Sequence, residues 1–387
     1  MTWVKLLTLQ GSMKRLASPV VPTVFFVFKV FILSCLYCYF LLMKARLKDV
    51  AARAGVAVNT ASTILNHRPN SWASKATEER VFKAAKDLNY RPSRAAVGLR
   101  LGSFRTIGLV LEDIHNPFYT TCTDLLEERM REYGYDLIIE NTRNDPAIKK
   151  RCMDSILDRQ IDALVYFMDS DEMHKQYMRK AEAMGLHVVA MAAHSDEERP
   201  FDVVEIDFQS GLRAAVEHLI GLGHRRFAFL TAIAKDHDPG ERPKFFRDLL
   251  KAHKLPDDAI HMIPSEHDLQ SVLGTFGHFL DTLKTPRPTA LIAMNDVAAI
   301  AAMRASHERG IKIPEDLSVV GVDNIPIGAF LQPALTTIAQ PMKQMADATA
   351  EILIQLLENK KEPKNPMRLT FESEFVIRES TGAAPRQ

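Results

Sequence analysis

Val58, Asn59, Thr60, Ser62 and Thr63 set five small or polar side chains within six consecutive positions. An asparagine amide at such a site can pair with two edge atoms of adenine, and it can equally bond a phosphate oxygen. Val58 and the Thr63 methyl suit contact with thymine methyls. Thr60, Ser62, Asn66 and Thr77 carry groups that position a nucleic-acid backbone. The chemistry on offer is recognition by hydrogen bonds rather than bond making. In agreement, the chain shows no glycine-rich phosphate loop, no H-E-x-x-H, no G-x-S-x-G elbow and no paired acid-base constellation, so catalysis is not expected.

These residues need a rigid carrier. Leu47, Val50, Ala51 and Ala54 follow the spacing of one helical face. Gly55 supplies a tight turn, because glycine alone accepts a left-handed backbone at little cost. A second helix then buries Ala61, Ile64 and Leu65 and turns Val58, Asn59, Ser62 and Thr63 outward, the arrangement of a helix that enters a DNA major groove. By spacing alone an ordinary helical hairpin stays equally open. A third helix is predicted over Lys75–Leu88, with Thr77 near its start, Glu78 and Glu79 in its first turn, and Val81, Phe82, Ala85 and Leu88 inward. Pro92 ends this headpiece, since it disfavours helix in the residue before it.

Charge separates the headpiece from the rest. Lys44 to Ser103 holds twelve basic and four acidic residues, a net +8; residues 1–43 add +4; the whole chain of 387 residues is +1, so the remainder is −11. A basic head on an acidic body implies that the head alone meets phosphate. Hydrophobic content of 47% with 25% charged residues fits a globular chain of two or three domains. Cys122 and Cys152 read as buried or half-buried thiols of a reducing cytosol. Cys35 and Cys38 form a lone C-x-x-C with no second pair nearby, so no metal or redox role is expected of it, and no cofactor of the chain as a whole. Val20 to Met43 is apolar enough to be a marginal membrane span, yet Lys29 lies within it and the first headpiece helix follows after three residues. The expectation is that residues 1–42 precede the true start at Met43; the alternative is a membrane-tethered protein anchored through residues 20–43.

From Phe104 onward strands and helices alternate. Apolar runs fall at Thr106–Leu111, Asp136–Glu140, Ala163–Phe167, His187–Met191 and Val203–Ile206, then at Arg225–Thr231, Ala290–Met294 and Leu317–Val322. Helices are predicted at Phe118–Tyr133 and Ala147–Arg159 and between the later runs. Alternating βα units imply parallel sheets covered on both faces. Two such series with chain crossings make a two-lobed clamp, and a ligand lies between the carboxyl ends of the sheets.

Seven segments in order, from about Met43 to Thr381, resemble the LacI/GalR (lactose-repressor) family of bacterial transcription regulators. They are Leu47–Asn66, Val81–Pro92, Gly108–Tyr119, His218–Arg226, Ile313–Asp323, Ala334–Pro341 and Val376–Thr381. The resemblance implies an α/β protein in which a small all-α helix-turn-helix headpiece (residues 43–92) and a hinge (93–103) precede a two-lobed domain like the periplasmic binding proteins (104–381), with a short tail (382–387). It implies a sequence-specific, DNA-binding regulator, by default a repressor. Such a regulator binds a pseudo-palindromic operator as a homodimer or higher assembly, in the cytoplasm at the nucleoid. It is controlled by a small effector such as a sugar or sugar derivative. The same two-lobe fold serves solute-binding proteins, but those lack a helix-turn-helix and carry a cleavable leader.

The resemblance also assigns residues. Val58, Asn59 and Thr63 match base-reading positions, although many members carry Arg or His where Thr63 stands. Leu99 matches a hinge leucine that wedges into a minor-groove step when the hinge helix folds on DNA. Gly98 is expected to weaken that helix, and Ser93 and Val97 depart from the usual Asn and Arg. In the cleft the matched effector contacts are Asn116, Phe118, Tyr119, Asp207, Arg242, Asn295, Asp296 and Asp323. Asp207 and Asp323 are expected at lobe crossings, and Asp296 as a hydrogen-bond acceptor to ligand or as a helix cap. Met191, Pro243 and Phe245 depart from the pattern and point to a more apolar or partly filled pocket. His224 and Arg225 fall in a family-typical turn, without catalytic role.

Overall fold

The computed structural model describes residues 45–66, 73–92, 94–168, 172–193, 201–232, 241–266, 268–284, 286–359 and 366–386. The apolar stretch 20–43, Cys35 and Cys38 and the proposed start at Met43 lie outside the described residues. The chain divides into two compact units, one ending at Val97 and the other beginning at Gly98.

In the first unit, α1 (Leu47–Ala54) and α2 (Val58–Leu65) flank a turn at Gly55, whose φ is +67°. The left-handed glycine lets the Val56 amide donate to the Ala51 carbonyl at 3.0 Å and close the helix end. At the other end the Arg46 amide donates to the Asp49 carboxylate at 2.9 Å. Helix α3 (Lys75–Asp87) is capped by Ser74, not Thr77: the Ser74 hydroxyl accepts from the Thr77 amide. The small core is Val50, Ala51, Ala54, Ala61, Ile64, Val81, Ala84 and Ala85. Phe82, expected inside, is 39% exposed, and Ala84 takes the inward place one turn from Val81.

Helix α4 (Arg94–Leu101) leads into the second unit. There β1 (Thr106–Leu111), α5 (Pro117–Glu132), β2 (Asp136–Asn141), α6 (Pro146–Leu157), β3 (Ala163–Met168), α7 (Glu172–Ala183), β4 (His187–Ala193) and β5 (Asp202–Asp207) alternate as the periodicity implies. The second series is α8 (Gln209–Gly221), β6 (Phe227–Ala232), α9 (Glu241–Ala252), β7 (Ile260–Ser265), α10 (Leu269–Thr282), β8 (Ala290–Ala293), α11 (Asp296–His307), β9 (Ser318–Asp323) and β10 (Thr336–Ala339). Helix α12 (Met342–Asn359) and the strands β11 (Arg368–Glu372) and β12 (Glu374–Val376) complete the chain.

Two six-stranded sheets result, ordered β11-β5-β4-β3-β1-β2 and β12-β10-β9-β8-β6-β7. Every described pairing is parallel except β10 with β12. Alternate residues serve opposite faces. Ile107, Leu109 and Leu111 join the core with α5 and α12, while Val110 faces α6 and α7. Phe227 and Phe229 pack with α8 and α9, while Ala228 and Leu230 meet α10 and α11.

Strands β7, β10, β11 and β12 escape a reading by apolar runs. Three of them are sheet edges, where one side needs no partner: β7 contains His261 and Pro264, and most of β11 is exposed. The chain passes between lobes three times, after Asp207, at Gln340–Pro341 and at Ser373, where β11 of one sheet gives way to β12 of the other. Asp207 is therefore at a crossing as expected. Asp323 is not, because β9 continues through a 3-10 turn into β10 of the same sheet. Crossings one and three are stitched together: the Ser373 hydroxyl donates to the Asp207 carbonyl at 2.8 Å, and the Gly211 amide donates to the Ser373 hydroxyl at 3.2 Å.

Candidate functional site

In the headpiece, α2 presents Val58, 45% exposed, beside exposed Asn59 and half-buried Thr60. Thr63 lies one turn on; its hydroxyl donates to the Asn59 carbonyl at 2.9 Å, which leaves its methyl as the outward group. Ser62 corrects the sequence reading. It is 6% exposed, on the inner side of α2, and its carbonyl accepts from the Asn66 side-chain amide at 2.6 Å. Asn66 is thus tied to the helix C-terminus. Thr77 sits at the first turn of α3 with its hydroxyl 3.0 Å from that of Ser74. Of the eight residues matched to DNA contact, Val58 and Asn59 are exposed on α2, and Thr60 and Thr63 on the same helix are half-buried.

Leu99 is 69% exposed on α4. Gly98, expected only to weaken this helix, has a packing reason. A Cβ there would stand 2.3 Å from the Phe104 ring, so the ring rests on bare backbone.

The second unit holds a cavity of about 680 Å³ lined from both sheets. From one lobe come the strand-to-helix segment Glu112–Tyr119, Phe167 and Met191; from the other, Arg242, Asp268, Asn295 and Asp323. The position follows from topology, since strand carboxyl ends and helix amino ends converge there. Phe118, Tyr119 and Phe167 form an edge-to-face trio with centroids 5.0–6.0 Å apart. Phe118 is 8% exposed and belongs to the core while reaching the wall. The Tyr119 hydroxyl donates to Glu112. Arg242 lies at the start of α9 with its guanidinium 5.4 Å over the Phe208 ring.

Asp323 is the most unusual group on this wall. It is 3% exposed, its φ is +111°, and one carboxyl oxygen accepts from the Gln340 amide while Oδ2 has no hydrogen-bond partner. A non-glycine residue held there stores roughly 1–3 kcal/mol of strain. The next turn is locked by Arg378, which donates to the Asn324 side chain and to the Leu335 carbonyl, each at 2.6 Å. Burial first, then the nearby Asp296 charge, push the Asp323 carboxyl up to about 8, against the opposing influence of Arg242, Gln340 and Asn116.

Three expectations about the cleft are corrected. Asp296 is fully buried and absent from the cavity wall. Its oxygens accept from the Thr337 hydroxyl at 2.6 Å and the Ile325 amide at 2.8 Å. The cap of α11 and the wall position both belong to Asn295, which accepts from the Ala298 amide at 2.8 Å. Asp207 is also off the wall; its carboxylate accepts from the amide of Gln209, the first residue of α8, at 2.8 Å. Phe245 does not fill the pocket, because it packs against Phe208 and under Arg213. Pro243 and Met191 do line the cavity.

The structure therefore brings together Asn116, Phe118, Tyr119, Arg242, Asn295 and Asp323. It adds Glu112, Asp113, Asp268 and Gln340, which the sequence reading missed. Glu112 and Asp113 directly follow the first strand, and that position was their available signal. His224 is fully buried: its Nε2 donates to the Gly382 carbonyl at 3.0 Å and its Nδ1 accepts from the Thr289 hydroxyl at 2.9 Å, so it clasps the C-terminal segment.

Fold and sites together define a class: a helix-turn-helix headpiece followed by a two-lobed binding domain. The model for "Bacterial regulatory proteins, lacI family" matches residues 46–93, and that for a periplasmic binding protein-like domain matches residues 216–381. The HTH-type transcriptional regulator DegA of Bacillus subtilis is 31% identical over 340 residues, covering 88% of this chain and 98% of that protein. A solved transcriptional regulator CelR–cellobiose complex is 26% identical with a TM-score of 0.61, covering 87% of this chain and all of that one. The lac repressor dimer bound to operator and the anti-inducer ONPF shares the fold at 24% identity and a TM-score of 0.73, over 88% of this chain and all of that one. The chain belongs to the lacI family of bacterial regulatory proteins. Its relatives are transcriptional regulators rather than enzymes.

Proposed function

We propose that this protein is a cytoplasmic, homodimeric repressor that reads operator DNA with Val58, Asn59 and Thr63 and answers to a small polar effector held in the cleft. Residues 43–92 act as the headpiece, 93–103 as the hinge and 104–381 as the effector-binding body. Thr60, Asn66 and Thr77 set the headpiece on the phosphates, while buried Ser62 holds the Asn66 side chain. Leu99 is the exposed wedge of the hinge helix. Asn116, Phe118, Tyr119, Arg242, Asn295 and Asp323 receive the effector, while Asp207 and Asp296 shape the cleft from behind. No catalytic step is assigned.

The observation that carries this reading is the cavity lined from both lobes. A ligand that touches Phe118 on one side and Arg242 on the other favours one relative lobe position. It shifts operator affinity only by its unequal affinity for the two states. The cellobiose of the CelR complex marks a carbohydrate as one ligand class for this fold. The test is to recover bound genome fragments, identify the operator, and titrate candidate effectors against the operator complex by fluorescence anisotropy. Arg242→Ala is expected to lose the response. An undiminished response would remove Arg242 from the site.

A further inference from the structure

The charge on the cavity wall limits what the cleft accepts. Among the described residues, the lining includes the acidic Glu112, Asp113, Glu241, Asp268 and Asp323 and the basic Arg242, with His115 Nδ1 3.0 Å from the Asp113 carboxylate. An anionic effector would meet this excess with little compensation. Helix amino termini are the usual alternative for anions. Four of them reach this cavity; the fourth, α9, opens with Glu241 in its first turn, and the other three are already occupied by a side chain of the protein. Asn116 accepts from the Phe118 amide, Asn295 from the Ala298 amide, and Asp268 from the Gln270 and Ser271 amides.

Asp323 is a separate observation. It lies on the wall, 3% exposed, with Oδ2 unbonded, and buried oxygens seldom stay without a donor. The same cavity is lined by the rings of Phe118, Tyr119 and Phe167, and aromatic faces attract cations. A carboxyl oxygen lacking a donor, an acidic surround and an aromatic wall are together the requirements of an ammonium group.

We infer that the effector carries a protonated amine, as an aminated sugar or similar cationic polyol, with the ammonium against Asp323 and the ring beside Phe118 and Tyr119. This rests on the reading of the cleft as the effector site and narrows it to a chemical class. Neutral sugars would donate hydroxyl hydrogen bonds to the lining carboxyls but bring no positive charge to balance their excess.

Matched probes test it with the full chain. D-glucosamine, D-glucose and D-glucuronate form one set, and D-galactosamine, D-galactose and D-galacturonate a second. Binding is measured by isothermal titration calorimetry at pH 7, in buffers of different ionisation enthalpy. An amine is expected to bind at least about ten-fold more tightly than its neutral partner, as a charge-assisted contact warrants. It is also expected to release a proton on binding, because an ammonium displaces the proton of Asp323. Asp323→Asn should abolish both the preference and the proton release. Glu112→Gln, a milder change, should reduce the preference. Tighter binding of a neutral sugar or a uronate overturns the inference and leaves the cleft reading intact, and absence of amine binding overturns it as well. Amine binding that leaves operator affinity unchanged keeps the inference and instead sinks the regulatory reading.

Discussion

The Thr337 hydroxyl lies 2.6 Å from the Asp296 carboxylate, and this contact turns Asp296 into the seam between α11, β10 and the turn after β9. Its neighbour Asn295 keeps the wall position. Asp296→Ala would leave the Thr337 hydroxyl and the Ile325 amide without their acceptor in the interior. The expected loss is about 2–4 kcal/mol of stability, because unmet buried donors cost more than a net hydrogen bond contributes. Urea melts of the two proteins measure it. A variant of unchanged stability that no longer answers to effector would return Asp296 to the binding site.

Asp323 and Asp296 set a pH dependence. Both carboxyls are raised by burial, to about 8 and about 6 from 3.8. A folded carboxyl with a raised pKa holds its proton where the unfolded chain has lost it. Stability from Asp323 is thus largest at low pH and falls as pH rises from 3.8 through about 8. Between pH 6 and 8 that slope belongs mainly to Asp323. Asp323→Asn should flatten it, so the variant gains on the wild type towards pH 9. Thermal melts at pH 6, 7, 8 and 9 check this; parallel curves would show that Asp323 is ionised throughout.

His224 acts in the opposite sense. Burial lowers its pKa from 6.5, and the neutral ring both donates to Gly382 and accepts from Thr289. Folded His224 resists a proton that the unfolded chain accepts, so its contribution is present above pH 6.5 and fades on acidification. His218 adds to the same trend. His224→Gln should cost about 1–3 kcal/mol at pH 7, the scale of a buried unsatisfied polar group. It should also lose less than the wild type between pH 7 and 5. Equal acid sensitivity would assign the effect elsewhere.

Leu99 and Asn59 are exposed, so their truncation should spare the fold. Leu99→Ala is expected to stay within about 0.5 kcal/mol of wild-type stability, yet to weaken operator binding and reduce DNA bending. Asn59→Ala should cost about 1–3 kcal/mol on the operator and less on random DNA. Binding to both should fall steeply with salt, given the basic headpiece. Gel shifts on bent and straight fragments at two salt concentrations separate these effects. Equal losses on operator and random DNA would make Asn59 a phosphate contact.

Much of this protein is legible in one dimension. The two headpiece helices follow from 3.6-residue periodicity broken at Gly55, and the central strands follow from unbroken apolar runs such as Thr106–Leu111. A central strand of a covered parallel sheet is apolar on both faces, so its own residues report its burial. Edge strands do not: β11 has little apolar signal, and it exists because β5 offers it a ladder.

What sequence periodicity reports is burial along a single element, whereas a site is made where several elements end together. Asn295 and Asp296 are adjacent in the chain, and only the packing of Thr337 and Ile325 around one of them decided that the other would face the cavity. Gly98 reads locally as a weak point in a helix, and the ring of Phe104 shows it to be a required gap. Asp323 became notable through its tertiary surroundings. Gln340 takes one oxygen, Arg378 locks the turn beside it, and the second oxygen is left buried without a hydrogen-bond partner. Side-chain identity was written in the chain; direction and partnership came from contacts between residues far apart in it.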